Sequence, residues 1–167
     1  MDEIIFEWLQ NHQNNILNQN MINITALGST TTLGLLMFFA FGFSFFVQKR
    51  IFETIFALIV ILSGLAVVET IKFEMDRIRP VAYHELITRP NSPSFPSGHS
   101  AMSMAVFLIL AKMFSKNNYW IFVAFACSLL IGFSRMYLGV HWFTDVLFGW
   151  IIGFTIFSLY ERKGAYT

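Results

Sequence analysis

Five stretches of this chain are long and apolar enough to be read as membrane crossings. A hydrocarbon layer takes about 20 residues to cross as a helix, and it accepts little else, because every backbone N–H and C=O must find its partner inside the segment. The first stretch runs from about Ile24 to Val47 without a charge, and the second from Ile51 to about Lys72, with Glu53 near its start. The third starts near Ser97 and reaches Phe114, the fourth covers about Tyr119 to Phe133, and the fifth about Trp142 to Tyr160; these three are shorter. Lys112, in the last turns of the third, reads as an end marker whose long side chain snorkels to the headgroups. Composition agrees: 56% of the residues are apolar and 13% charged, against roughly 45–50% and about 25% in a soluble domain. Twenty Phe in 167 residues exceed what one water-soluble core buries. The expectation is an all-α, integral-membrane helical bundle of about five transmembrane helices.

Residues 1–23 differ. Ile4, Ile5, Trp8, Leu9, Ile16 and Leu17 recur at helical spacing among Asn and Gln, which predicts an amphipathic helix lying in the interface. With no basic stretch before it, this is not a signal peptide. The chain therefore divides into an interfacial segment, 1–23, and a membrane-embedded domain, 24–167, with no internal repeat and no linker long enough to separate further domains. A net charge of +1 gives no reason to expect a nucleic-acid partner, and nothing marks an obligate protein partner. The lone Cys127 excludes an internal disulfide and a Cys-rich metal site.

With five crossings, Lys49, Arg50, Lys112, Lys116, Arg162 and Lys163 fall on one face, and Lys72, Arg77, Arg79, Arg89 and Arg135 on the other. Loops retained in the cytoplasm carry the Lys/Arg excess. If the cations of the second face are held by a site, the first face is cytoplasmic and the second extracytoplasmic.

That second face carries three polar motifs. In Lys72-x6-Arg79-Pro80 the two cations are seven residues apart, which predicts that they project from one side of a helix ended by Pro80; alone, such a pair equally serves interfacial anchoring. In Pro96-Ser97-Gly98-His99, Ser97 is placed to cap the third apolar helix, and free N–H groups at its start suit an anion. Gly98 admits close approach and His99 sits in the first turn, although a routine turn with an interfacial His has the same sequence. In Ser134-Arg135-x5-His141-x3-Asp145, His141 and Asp145 are four apart at the start of the fifth helix. There the carboxylate can fix the imidazole tautomer and leave the other nitrogen free as a nucleophile, or the pair can be purely structural. Two His and an Asp are also metal-ligand types. Lys72, Arg79 and Arg135, however, bring three positive charges to the same place, which repel a divalent cation and hold a phosphate dianion. The reading is an anion site with no metal and no other cofactor.

Together the three stretches resemble the tripartite signature of the type 2 phosphatidic acid phosphatase (PAP2) family, which shares its site with vanadium-dependent haloperoxidases. All eleven specified positions match: Lys72, Arg79, Pro80, Pro96, Ser97, Gly98, His99, Ser134, Arg135, His141 and Asp145. The resemblance implies two-step hydrolysis of a lipid phosphomonoester or pyrophosphate. His141 would attack phosphorus and form a phosphohistidine, Asp145 would orient it, and His99 would protonate the leaving oxygen. Lys72, Arg79, Arg135, Ser97, Gly98 and, less centrally, Ser134 would hold the nonbridging oxygens.

The partners implied are a lipid phosphate substrate and membrane lipids in a bacterial cell membrane. Undecaprenyl pyrophosphate, phosphatidylglycerophosphate, phosphatidic acid and diacylglycerol pyrophosphate are all compatible, and the loop Val81–Ser94 is the expected place for headgroup selection. Membrane members of the family usually have six spanning helices, so this sequence is expected to begin just after the point where the first would end. The competing function is a non-catalytic lipid-phosphate binder or transporter that has kept the pocket.

Overall fold

The computed structural model describes residues Met1–Gly164, with side chains to Arg162, so Lys163 of the basic face lies outside the described side chains. The elements are α1 (Asp2–Asn11), α2 (Asn15–Leu27), α3 (Thr30–Gly42, prolonged by π-helical turns over Phe43–Val47), α4 (Ile51–Met75), α5 (Gly98–Phe114), α6 (Asn118–Tyr137) and α7 (Phe143–Gly164). No strand occurs among the described residues. Four helices are long and apolar enough to cross a membrane: α3 with its extension, α4, α6 and α7. The fifth expected crossing, α5, is an apolar helix of 17 residues, about 26 Å at 1.5 Å per residue.

The shorter helix is the centre of the bundle. Ala101, Met104, Ala105, Val106, Leu108, Ile109 and Met113 of α5 are all enclosed, packed by α3, α4, α6 and α7. The outer helices instead turn large apolar side chains outward, among them Phe38, Phe39, Phe46, Phe52 and Phe73, as lipid-facing surfaces do. The chain is an integral membrane protein. The closest packing is between α5 and α7. A Cβ on Gly149 would come within 2.7 Å of the Ser97 carbonyl oxygen, and one on Gly153 within 2.3 Å of that of Ala101. Small residues four apart thus let the two backbones meet and bring the starts of both helices together.

The amino-terminal segment is two helices, not one. His12 and Gln13 break the periodicity, and the Asn14 side chain caps α2 by accepting from the Leu17 N–H at 3.0 Å. Gly28 and Ser29 break the chain again, so the first crossing starts at Thr30 rather than near residue 24. Both short helices pack on α6, and α1 also touches α7. Ile4, Trp8 and Ile16 remain outward.

At the far end, the Arg50 guanidinium donates to the Met113 carbonyl and pairs with Glu53, and Lys112 pairs with Glu161 at 2.8 Å. Lys72, Arg77, Arg79, Arg89 and Arg135 lie at the opposite end or beside it in sequence, where residues 76–97 form a long loop without regular structure. In a compact fold such a loop is commonly functional.

Candidate active site

Helix α4 delivers Lys72 in its last turn, then stops. Asp76 takes the left-handed conformation (φ 37°, ψ 41°), and its N–H closes the helix on the Lys72 carbonyl at 3.1 Å. The expectation that Lys72 and Arg79 share one helical face is therefore corrected. The helix ends at Met75, five residues before Pro80, with its cap on Asp76, a residue type that carries little stop signal, and Arg79 stands on the loop. The loop holds it firmly. Arg79 Nε donates to the Ser92 carbonyl at 2.8 Å, Nη2 to Ser92 Oγ and the Pro93 carbonyl at 3.1 Å each, and Nη1 to the Val140 carbonyl at 2.8 Å. Lys72 Nζ reaches the Pro93 carbonyl at 3.4 Å. Arg89 braces the same loop by donating to the Arg79 carbonyl at 2.8 Å.

Ser97 caps α5, as expected, its hydroxyl accepting from the Ser100 N–H and hydroxyl. It is fully buried, and Gly98 and His99 rather than Ser97 line the cavity that follows. Arg135 lies on the last turn of α6, not in a connection after it, because α6 runs on to Tyr137. Its Nη1 donates to Thr25 of α2 at 2.8 Å, and its Nε, also buried, has no partner. Ser134, one residue earlier, faces away: its hydroxyl donates to the Ile131 carbonyl of its own helix at 2.6 Å, a common fate of helical Ser.

His141 follows a turn made possible by Gly139, whose φ of +70° suits glycine. It lies two residues before α7, while Asp145 is in the first turn of α7. The imidazole is almost wholly buried. Arg79 Nη1 stands 3.0 Å from its Nε2. A guanidinium has only donors, so Nε2 must be the acceptor, and the neutral ring carries its proton on Nδ1. That nitrogen is 3.4 Å from Asp145 Oδ2. Burial, with Arg79 and Arg135 nearby, pushes the His141 pKa down to about 3 despite the Asp145 carboxylate. Nε2 is therefore unprotonated at neutral pH.

Asp145 is completely enclosed and surrounded by donors. Its Oδ2 also takes the Ser94 hydroxyl and the Trp142 N–H, the latter at 2.8 Å, which caps α7 from within. Its Oδ1 takes Arg77 Nη1 at 2.6 Å. Ser94 and Arg77 had no motif to announce them. Their only signal was place: a polar residue in the loop between two motif blocks.

Lys72, Arg79, Gly98, His99, Arg135 and His141 line one cavity of about 250 Å³, together with Glu69, Pro90 and Ser92. Of the loop expected to select headgroups, Pro90 and Ser92 are in contact with it, while Tyr83, His84 and Glu85 are exposed elsewhere. Leu33, Met37, Ile61, Leu62, Leu65, Met102 and Val106 continue the same cavity along α3, α4 and α5, away from the histidines. It is cationic at one end and apolar at the other. Among the described residues no group of three or more His, Cys, Asp or Glu is arranged to hold a metal ion.

Residues 52–163 match the family model of the PAP2 superfamily. The chain belongs to that superfamily. Among PAP2 relatives it is 32% identical to phosphatidylglycerophosphatase B of Bacillus subtilis, over 86% of this chain and 73% of that protein. It is also 32% identical to the undecaprenyl-diphosphatase BcrC of the same organism, over 90% of this chain and 77% of that protein. In three dimensions it is similar to the crystal structure of a transmembrane PAP2 type phosphatidylglycerolphosphate phosphatase from Bacillus subtilis, with a TM-score of 0.91 and 29% identity, covering 99% of this chain and 85% of the other. The expected family and the all-helical membrane fold are both borne out. The chain is a PAP2-type phosphatase.

Proposed function

We propose that this enzyme hydrolyses the phosphate of a membrane lipid through a phosphohistidine on His141, without a metal ion. The observation that carries the reading is the two-ended cavity. A buried, neutral imidazole with its Nε2 lone pair available stands among three cations, and the walls turn apolar away from it, as a phosphate on an alkyl chain requires.

In the first step His141 Nε2 attacks phosphorus and the bond to the lipid oxygen breaks. Arg79 exchanges its contact with Nε2 for a nonbridging oxygen. The lipid oxygen leaves with a proton from His99. Asp145 accepts from Nδ1–H and stabilises the positive ring of the intermediate. In the second step His99 takes a proton from water, the water oxygen bonds to phosphorus, and the P–N bond breaks to release inorganic phosphate. Lys72, Arg135 with its unpartnered Nε, and the Gly98 N–H at the start of α5 neutralise the charge as the phosphoryl group transfers.

Relatives named for phosphatidylglycerophosphate and for undecaprenyl diphosphate support either a phosphomonoester or a diphosphate substrate. Glu69, one turn before Lys72, adds a carboxylate to the cavity lining, and its negative charge favours the less charged phosphomonoester over a diphosphate. The test is phosphate release from a panel of lipid mono- and diphosphates, with chelator present. Release by the wild type and none by His141→Ala is the expected result, with Glu69→Gln raising diphosphate turnover relative to monophosphate. Lipid movement with no phosphate released would replace the enzyme by a binder or transporter.

We place the site on the extracytoplasmic side. Its five cations are all engaged: Lys72, Arg79, Arg89 and Arg135 as described, Arg77 with Asp145. The topogenic excess is left to Lys49, Arg50, Lys112, Lys116 and Arg162 at the other end.

A further inference from the structure

Arg77 belongs to no motif and does not line the substrate cavity, yet it donates directly to the carboxylate that orients the nucleophile. Its Nη1 donates to Asp145 Oδ1 at 2.6 Å and to Thr144 Oγ1 at 2.7 Å, and its Nη2 to Asp2 Oδ2 at 2.7 Å. Asp2 closes the figure. Its Oδ1 accepts the Thr144 N–H at 3.0 Å and its Oδ2 the Thr144 hydroxyl at 2.6 Å, so a residue of α1 caps the first turn of α7. Burial alone would raise the Asp2 pKa, but the bonds from Thr144 and Arg77 outweigh it and hold the carboxyl below its usual range. The Arg77 guanidinium also lies over the Trp142 ring, 5.7 Å from its centroid.

We infer that Arg77, held by Asp2 of α1, is a positioning residue for the catalytic pair: it fixes the Asp145 carboxylate so that Oδ2 faces His141. The geometry requires some such group. A carboxylate rotates about its last bond, and Asp145 Oδ2 is shared between Ser94, Trp142 and the 3.4 Å contact to His141. A planar fork on Oδ1, itself fixed at its other arm, stops that rotation. A lysine supplies the charge and not the fork. Other charges around the His141 ring come from Arg79 on the loop, Lys72 on α4, His99 on α5 and Arg135 on α6. None of these has a hydrogen bond to Oδ1, so none takes over when Arg77 is removed.

This inference rests on the phosphohistidine reading, and its test separates the two. In single-turnover rapid-quench experiments on the detergent-solubilised full chain with an equimolar lipid phosphate, the amplitude of lipid alcohol formed counts competent sites and its rate reports transfer to His141. Arg77→Ala is expected to keep the amplitude and the steady-state KM and to slow the single-turnover rate about 100-fold, the scale of a misplaced reacting group. Asp2→Ala is expected to slow it about 5- to 10-fold, and the double variant to be no slower than Arg77→Ala alone, because the two act as one unit. Arg77→Lys, which restores the charge without the fork, should recover little of the rate. A lowered amplitude with an unchanged rate would make Arg77 merely structural and overturn the inference, as would additive effects of the two substitutions. If the wild type releases no lipid alcohol and no phosphate, the functional reading fails by itself. The positioning role is then judged without turnover from the downfield Nδ1 proton resonance of His141, expected to be lost in Asp145→Asn and shifted in Arg77→Ala. An unshifted signal in Arg77→Ala would refute it.

Discussion

His141 illustrates how one contact sets a residue's chemistry. Because Arg79 can only donate, the 3.0 Å contact assigns the lone pair to Nε2 and the proton to Nδ1. Burial then keeps the ring neutral, with a pKa of about 3 in the folded protein against about 6.5 unfolded. A depressed pKa favours the folded state wherever the ring is neutral. That contribution is whole above about pH 6.5 and is lost as the pH falls toward the folded value. Thermal melts of the solubilised protein should show the wild type losing stability over that window, with His141→Gln losing less; parallel curves would contradict the assignment. Removing the proposed acid, His99→Ala, should lower kcat about 10²- to 10⁴-fold in steady-state phosphate release, with a smaller loss for a substrate whose leaving group needs no proton. Lys72, Arg79, His99, Arg135 and His141 were legible as motif members because each repeats a fixed spacing. Arg77, Ser94 and Asp2 were not, since their partners lie 68, 51 and 142 residues away in the chain. Ser134 is the converse. Its motif position is filled, and its hydroxyl is spent on its own helix.

At the level of elements, the site is where the starts of α5 and α7 meet the ends of α4 and α6, and glycine decides how closely. Gly149 lies one turn after Asp145, against the Ser97 carbonyl that begins α5. Gly149→Val should push the two helices apart, costing about 1–3 kcal/mol of stability and much of the activity. Gly42→Val, where a Cβ would meet nothing within 4 Å, should change neither by a comparable amount. Melting temperature and phosphate release of the two variants, measured side by side, check this. Helix existence was readable from the apolar runs, because lipid allows no other way to satisfy the backbone. Helix ends were not. The left-handed turn at Asp76 and the extension of α6 to Tyr137 depend on loop contacts and on the burial of Arg135, which carry no local signature. The same holds for the break at His12 and Gln13, where both side chains bond back to carbonyl groups, one local and one of Tyr137.

On the scale of the whole molecule, the few charges are sorted. One end gathers cations around an anion site, and the other keeps those that pair with Glu53 and Glu161 or stand free of the site. The proposed extracytoplasmic placement predicts that an impermeant reagent that traps released phosphate intercepts the product from intact cells and not from sealed inside-out vesicles. The proposed metal-free chemistry assigns to Lys72, Arg79 and Arg135 the positive charge that a divalent ion provides elsewhere; activity that vanished in chelator would contradict it. The two-ended cavity joins these features into a single claim, that phosphate passes from lipid to His141 and then to water. Rapid acid-free quenching with a lipid carrying a labelled terminal phosphate tests that claim most directly. Label is expected on the protein within one turnover, stable in base, labile in acid and absent from His141→Ala. Phosphate release that persists in His141→Ala, with no labelled protein in the wild type, would contradict it.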